Sequence, residues 1–526
     1  MLSSRNHTTP VKPVFSAILS PLIIVIVFTG CAVGPEFVKP QIPINQKWSA
    51  TDSSAFVSRT APDSNWWTVF NDSVLNRLIG FAYHQNISLQ ITGLRIMEAR
   101  AQLAIATGRQ FPQNQAVIGN LSAIGVSENI ADAVGINRNF LNYQLGLDVS
   151  WEADLWGKYR YNVKTQKNSL LATVADYDNA LVSLTAEVAR TYTTIRTYEI
   201  LIEQAQRNAQ LQGDGLRIAE SRFRNGATSE LDVVMATTLL ENTRASIPQL
   251  EKNLILYQNA LCTLLGQPTS TVQKLLQESK GIPIAPQEVS LTVPAELLLR
   301  RPDIRYAELE AIAQCSRIGI AKSELYPQIK ISGIISTQSS SGSGVPASDI
   351  FDPGSFMYIA GPQLTWPFLN YGQISNNVRV EDARFQQLIL NYKNTVLKAA
   401  QEVEDGLTGY LKSKEAAVFA QNAVNGAQRS VDLSLIQYRE GAVDYERVLD
   451  AQRSLLQEQN SLTQLHSAIV INLISLYRAL GGGWELREGQ PFVSDSTRIE
   501  MQRRTNWGNL FSKPIVQENE GPGNYP

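Results

Sequence analysis

The chain repeats itself. "RQFPQ" and "ELYPQ" place Pro112 and Pro327 215 residues apart, and "VSWEADLWGK" and "LTWPFLNYGQ" do the same for Trp151 and Trp366 and for Gly157 and Gly372. The same interval separates Gly226 from Gly441 in "RFRNGA" and "QYREGA", and Gly266 from Gly481 in "LCTLLG" and "LYRALG". Five landmark pairs holding one offset of 215 across 155 residues require two similar halves with almost no net insertion between them. Whatever the first half builds, the second must build again.

Each half reads alike: a helical stretch ending near the proline, two short strands, a long helix to a glycine-marked turn, and a helix that returns. Lys158 to Gln212 contains neither glycine nor proline over 55 residues, a run that as one helix would measure roughly 80 Å. Within it Leu170, Val174, Tyr177, Leu181, Leu184, Val188, Ile195, Tyr198 and Ile202 follow 4,3 spacing. That period marks helices packed as coiled coil; an ordinary amphipathic helix drifts off such a stripe over this length. The returning helix, about Ser229 to Leu265, carries Pro248, which predicts a kink. In the second half Gln373 to Val424 and Tyr445 to Leu480 do the same, loosened by Gly406 and Gly409.

Between the helices the period changes to two. In "YQLGLDVSW" Tyr143, Leu145, Leu147, Val149 and Trp151 alternate with Gln144, Gly146, Asp148 and Ser150. "FMYIAGPQLTW" puts Phe356, Tyr358, Ala360, Leu364 and Trp366 on one face, and "QIKISGIIST" sets Ile329, Ile331 and Ile335 against Lys330, Ser332 and Ser336. Aromatic ends, an apolar face and a polar face are what a membrane barrel wall requires; a soluble sheet packed on the helices is the alternative. Four strands cannot close a barrel, and open edges are not tolerated in lipid. A barrel must therefore be shared between chains.

The start of the chain carries a separate signal. Arg5 and Lys12 precede an apolar stretch from Val14 to Phe28, then Thr29, Gly30 and Cys31. This is the order of a secretory signal, removed on maturation, and with Pro21 inside it the run is short for a spanning helix. "VIVFTGCAVGPEF" resembles the bacterial lipobox, with Phe28 where leucine is usual. That resemblance implies acylation of Cys31, while Ala32 in place of aspartate permits transfer to the outer membrane. Several acyl chains hold stably where one holds weakly. Cys262 and Cys315 fall in predicted helices, as two buried thiols or one disulfide.

Composition excludes several classes. A net charge of −2 and a pI near 6.1 leave no nucleic-acid footprint. Of three histidines, His7 leaves with the signal, and His84 and His466 have no partner at metal-ligand spacing. No phosphate loop, G-x-S-x-G or dinucleotide fingerprint is present, so an enzyme is not expected.

"CAVGPEFVKP", "NWWTVFNDSVLNRLI", "RRPDIRYAELEAIAQ", "IAKSELYPQIKISG" and "YREGAVDYERVLDAQRSLL" running to "LYRALGGGW" together resemble the outer-membrane efflux factors, the TolC and OprM type, in their lipoprotein branch. The likeness covers Cys31 to about Trp484. It implies an α+β membrane protein, internally duplicated and trimeric, with a shared twelve-stranded β-barrel (four strands per chain) and a long periplasmic α-helical coiled-coil barrel. The chain then divides into a signal peptide (1–30), an anchor with equatorial segment and first helix (31–111), barrel hairpins at 112–152 and 327–368, and coiled-coil helix pairs at 153–276 and 369–483. A linker with equatorial segment and helix (277–326) joins the halves, and an equatorial segment and disordered tail (484–526) follow.

The resemblance implies an outer-membrane conduit passing drugs or other small molecules, lipid-anchored and extending into the periplasm. Its partners would be two further copies, a periplasmic membrane-fusion adaptor, an inner-membrane RND-type pump and outer-membrane lipid. No cofactor is expected beyond the covalent lipid on Cys31. The family's constriction aspartate corresponds to Asp450, and a trimer would gather an acidic ring there. Glu446 stands where many relatives carry an apolar gate residue, and Arg447 where some are acidic, so an Asp450–Arg447 or Glu446–Arg447 pairing is an expected substitute. Asp232 occupies the equivalent tip of the first half. Gly226 and Gly441, with Arg224, Arg439 and Tyr438, mark the tips where the family meets adaptor hairpins. A channel for protein secretion or heavy-metal export, and a non-conducting coiled-coil scaffold, are the competing readings.

Overall fold

The structure, a computed structural model, describes residues 32–43, 48, 56–58, 65–129, 137–286, 289–291 and 301–512. The leader and Cys31 lie outside the described residues. In chain order the elements are β1 (Phe56–Ser58), α1 (Ser73–Gln85), α2 (Ile87–Gly108), β2 (Asn114–Gly125), β3 (Asn139–Glu152), α3 (Lys158–Arg224), α4 (Glu230–Leu264) and β4 (Val289–Leu291). The second half adds α5 (Pro302–Ser323), β5 (Gln328–Ser340), β6 (Phe356–Thr365), α6 (Gln373–Arg439), α7 (Tyr445–Ala479) and α8 (Asp495–Arg504). The fold is α+β and doubled: α3 and α6 have 67 residues each, α4 and α7 have 35, and α2 and α5 have 22. Every one of these pairs starts 215 residues apart.

The helices outrun the expected ends. α3 continues through Gly213 and Gly215, α6 through Gly426, and α4 is unbroken at Pro248. A helix-interior glycine costs about 1 kcal/mol relative to alanine, and packing elsewhere along such long helices outweighs it. Nor is the heptad stripe of α3 a simple seam. From Leu181 to Thr197 most of its side chains are buried, including Thr185, Thr193 and Arg196, because segments from elsewhere in the chain wrap that stretch.

Contacts divide the chain into two compact units. The first takes in the described residues within 32–40, 99–170 and 309–390 and holds a four-stranded antiparallel sheet in the order β2-β3-β5-β6. One row across it joins Val117, Leu147, Ile335 and Tyr358, whose side chains are 74%, 53%, 54% and 71% exposed. The next row, Ile118, Gly146, Ser336 and Met357, faces the other way, and Ser336 is buried. The apolar rows are thus bare on the chain by itself. Among the described residues, edge strands β2 and β6 are each paired on one side only.

At one end of this sheet the repeat shows in the indoles. Trp151 Nε1 donates to the Gln110 carbonyl at 3.2 Å, and Trp366 Nε1 to the Leu325 carbonyl at 3.1 Å. Phe111, Trp366, Phe368, Leu369 and Tyr371 stand exposed there, a collar of the kind that sits at a membrane–water interface. The chain just after Cys31 is docked in the same unit: Gly34 donates its N–H to the Tyr161 hydroxyl at 2.8 Å. A methyl group on Gly34 would meet Tyr161 and Gly319 within 2.7 Å, so only glycine fits. Cys315 in this unit and Cys262 in the other are both free and buried.

The second unit holds the described residues within 41–98, 171–308 and 391–512, including the short parallel pair β1–β4. Asp72 organises one node of it. Its Oδ1 accepts the N–H groups of Val74 and Leu75 at the start of α1, and its Oδ2 accepts the Tyr192 hydroxyl at 2.6 Å. Burial pushes the Tyr192 phenol up to about 12, which keeps it a donor. The repeat recurs at the helix ends: Asn86 Nδ2 donates to the Leu264 carbonyl of α4 at 2.8 Å, and Arg301 Nη1 to the Ala479 carbonyl of α7 at 2.6 Å. Both satisfy carbonyls that a helix terminus orphans.

Arg301 does more than its counterpart. It is buried, forks onto Asp303 at 3.0 and 2.8 Å, and reaches Glu402 on α6 at 2.8 Å. Arg301→Ala is expected to lower stability by about 1–3 kcal/mol, because it leaves the buried Ala479 carbonyl without its donor. A urea midpoint unchanged from the parent contradicts that.

Candidate functional site

The two helix-to-helix turns lie in the second unit, and each ends its first helix in the same way. Gly226 has φ +70° and Gly441 φ +77°. In the first turn Ala227 N–H reaches the Arg222 carbonyl at 2.8 Å and Gly226 N–H the Phe223 carbonyl at 2.9 Å. In the second, Ala442 pairs with Gln437 at 2.8 Å and Gly441 with Tyr438 at 3.0 Å. These are paired Schellman closures, which need a left-handed residue after the helix. Around Gly226 there is open space, so its φ alone demands glycine; a methyl group added at Gly441 would lie 3.5 Å from the Arg222 guanidinium.

Arg222 ties the turns together. Its guanidinium lies 4.7 Å over the Tyr438 ring. Nη1 donates to the carbonyls of Tyr438 and, at 3.1 Å, Arg439; Nη2 donates to Ala227 O at 3.2 Å. One cation thus caps the end of α6 and braces its own turn. In return the Tyr438 hydroxyl donates to Asp232 Oδ2 at 2.9 Å, and the Thr228 hydroxyl donates to the same oxygen. Burial, with the Asp232 carboxylate adding to it, pushes the Tyr438 phenol up to about 12, so it remains a donor at every physiological pH. Beneath these bonds Ala219, Ala236, Leu239, Tyr438, Tyr445, Val448 and Leu449 form a buried core drawn from α3, α4, α6 and α7. The Tyr438 and Tyr445 rings meet edge to face at 4.9 Å.

The residues singled out by sequence are distributed unevenly around this core. Tyr438 and Asp232 meet, so Asp232 is a cross-hairpin acceptor and not a solvated charge. Arg224 and Arg439 end α3 and α6 with exposed side chains. Glu446, Arg447 and Asp450 are exposed on α7, but among the described residues neither expected pairing forms. Asp450 instead lies 3.8 Å from Arg453, with both side chains more than half exposed. The carboxylate precedes the cation by three residues, the helical order that favours such a pair, and an exposed pair of this kind contributes little. Sequence reading missed Arg222. Its signal lay in divergence between the halves: Arg222, Phe223 and Asp232 in the first correspond to Gln437, Tyr438 and Arg447 in the second. The bonding groups each exist in one copy only.

Elsewhere in the unit desolvation pushes the His466 imidazole below its ordinary value. No cluster of His, Cys, Asp and Glu suited to a metal ion occurs among the described residues.

Comparison with known proteins places these features. The profile of the family described as outer membrane efflux protein matches residues 78–267 and again 293–482, two passes displaced by the same 215 residues. The cation efflux system protein CusC of Escherichia coli O6:H1 is 28% identical over 470 residues, covering 89% of this chain and 99% of that protein. Nodulation protein T of Rhizobium leguminosarum bv. viciae is 29% identical over 468 residues, covering 89% and 93%. The solved outer-membrane channel OprN superposes with a TM-score of 0.80 at 28% identity, covering 86% of this chain and all of that one.

Proposed function

The chain belongs to the outer membrane efflux protein family, and we propose that three copies of this outer-membrane channel close one barrel, each lending its four strands. The observation that carries the proposal is the bare apolar row Val117–Leu147–Ile335–Tyr358 on a sheet with two half-paired edges. In lipid such edges have to be paired, and a closed barrel is the arrangement that pairs them all. The apolar rows then face lipid, the Ser336 side faces the lumen, and the aromatic collar marks one membrane interface. Purified protein in planar lipid bilayers is expected to give discrete unitary conductance steps. Absence of any conductance, in the parent and in a variant with the turn bonds removed, would sink the reading and favour the scaffold.

The paired turns are the gate and docking end in this proposal. A periplasmic membrane-fusion adaptor engages the tips around Gly226 and Gly441, and an inner-membrane RND-type pump drives cargo through. Three copies gather Asp450, Glu446 and Arg447 around one axis, where like charges in a narrow throat repel and bound cations favour closure. Cargo is small molecules. The family's members are channels, and for this chain we propose conduction without catalysis.

Cys31 is the proposed lipid anchor. Cys31→Ser is expected to abolish acyl labelling of the mature protein while the sheet still inserts; labelling that persists in the variant contradicts the assignment.

A further inference from the structure

The helices α3 and α7 run antiparallel with polar rungs between them. Thr197 donates to Ser467 at 2.8 Å, Gln204 to Thr463 at 3.0 Å, and Asn208 to Gln459 at 2.7 Å. One rung further, the pattern fails. Continuing that register places Gln212 opposite Leu455 and Gln452 opposite Gly215. Both glutamines are at most 1% exposed, and among the described residues neither the oxygen nor the nitrogen of either amide has a partner. Buried amides with nothing to bond are rare and call for a physical reason.

Two further observations fall on the same layer. α3 carries Gly213 and Gly215 there, the residues with least resistance to leaving helical geometry. On α3 the layer also separates two apolar clusters. The tip core begins at Leu216, and the next, around Val431, Ala451 and Leu455, includes Leu211; Leu435 on α6 touches both.

We infer that the layer of Gln212, Gly213, Gly215 and Gln452 is a hinge that decouples the tip core from the helices behind it, so that the tip can move while the stretch beyond the layer stays packed. Packed, the layer holds two unsatisfied amides against each other's helices. Bent, it admits water to both, so moving relieves a cost that staying packed incurs. The glycines let α3 bend without loss of side-chain packing at position 213, where a methyl group would meet nothing within 4 Å. This inference rests on the channel reading for its purpose, but the hinge is a property of the isolated protein.

Hydrogen exchange of the detergent-purified full-length oligomer, read by mass spectrometry, tests it. Residues 216–239 and 435–449 are expected to exchange as one block, at least tenfold faster than 170–205. Gly213→Ala is expected to slow that block about fivefold, the factor a helix-interior glycine-to-alanine change supplies, and to leave 170–205 unchanged. Gln212→Leu with Gln452→Leu, joining the clusters, is expected to slow it further. A protection profile with no step at the layer, or a tip block indifferent to Gly213→Ala, overturns the hinge; should the leucine pair fail to assemble, the parent profile and Gly213→Ala decide alone. Conductance measured on the same sample separates the two claims: conducting protein with uniform exchange sinks only the hinge, and non-conducting protein sinks the channel.

Discussion

Leu147→Arg is expected to remove the protein from the outer membrane. Leu147 lies mid-strand in β3, paired with Val117 on one side and Ile335 on the other, and its side chain is bare. An arginine on the lipid face of a barrel near the midplane costs roughly 2–4 kcal/mol per copy, and a trimer multiplies that by three. The sum rivals the whole folding stability of an ordinary domain. Gln144→Arg is the control, because Gln144 lies on the opposite, polar face of the same strand and lumen-side charges are tolerated. Outer-membrane fractions should show a heat-modifiable oligomer for Gln144→Arg and none for Leu147→Arg. Normal insertion of Leu147→Arg, or equal failure of both, would mean that the bare row does not face lipid.

Tyr438→Phe is expected to open the tips. The substitution keeps the ring that packs on Tyr445 and Arg222 and deletes only the hydroxyl that reaches Asp232 across the hairpins. A hydrogen bond to a charged acceptor contributes about 2 kcal/mol, enough to raise the open-to-closed ratio of one tip roughly 30-fold. Asp232 keeps its bond from Thr228, so no orphaned carboxylate pulls the turn apart in another way. Arg222→Ala should act in the same direction and more strongly, since it releases the carbonyls of Tyr438, Arg439 and Ala227 together. Single-channel recording checks both: a higher open fraction at unchanged ion selectivity is expected. Parent-like gating in both variants would show that these bonds brace the turns without holding a gate.

Much of this fold was legible in the repeat. Glycines and tryptophans at one offset located the strands, the turns and the helix ends, because such residues are fixed by backbone geometry and by indole bonding, which both halves need alike. Gly157 and Gly372, at φ +83° and +82°, are a case in point. The alternation in "YQLGLDVSW" likewise gave the bare face of β3, since a period of two leaves each residue one face to occupy. What the repeat hid is where the halves differ. Phe223 became Tyr438 and Arg447 faces Asp232 across the duplication, so the cross-hairpin bond has no symmetric twin to reveal it. Helix length was hidden for another reason. Gly213, Gly215 and Gly426 read as breaks by propensity, and a helix held along its length by neighbours carries them.

Native mass spectrometry of the mature protein released from outer-membrane vesicles bears most directly on the shared wall. Three chains in one particle, with no smaller species until the sheet unfolds, is the predicted result. A particle of one chain that keeps its strands and stays soluble without detergent would contradict it.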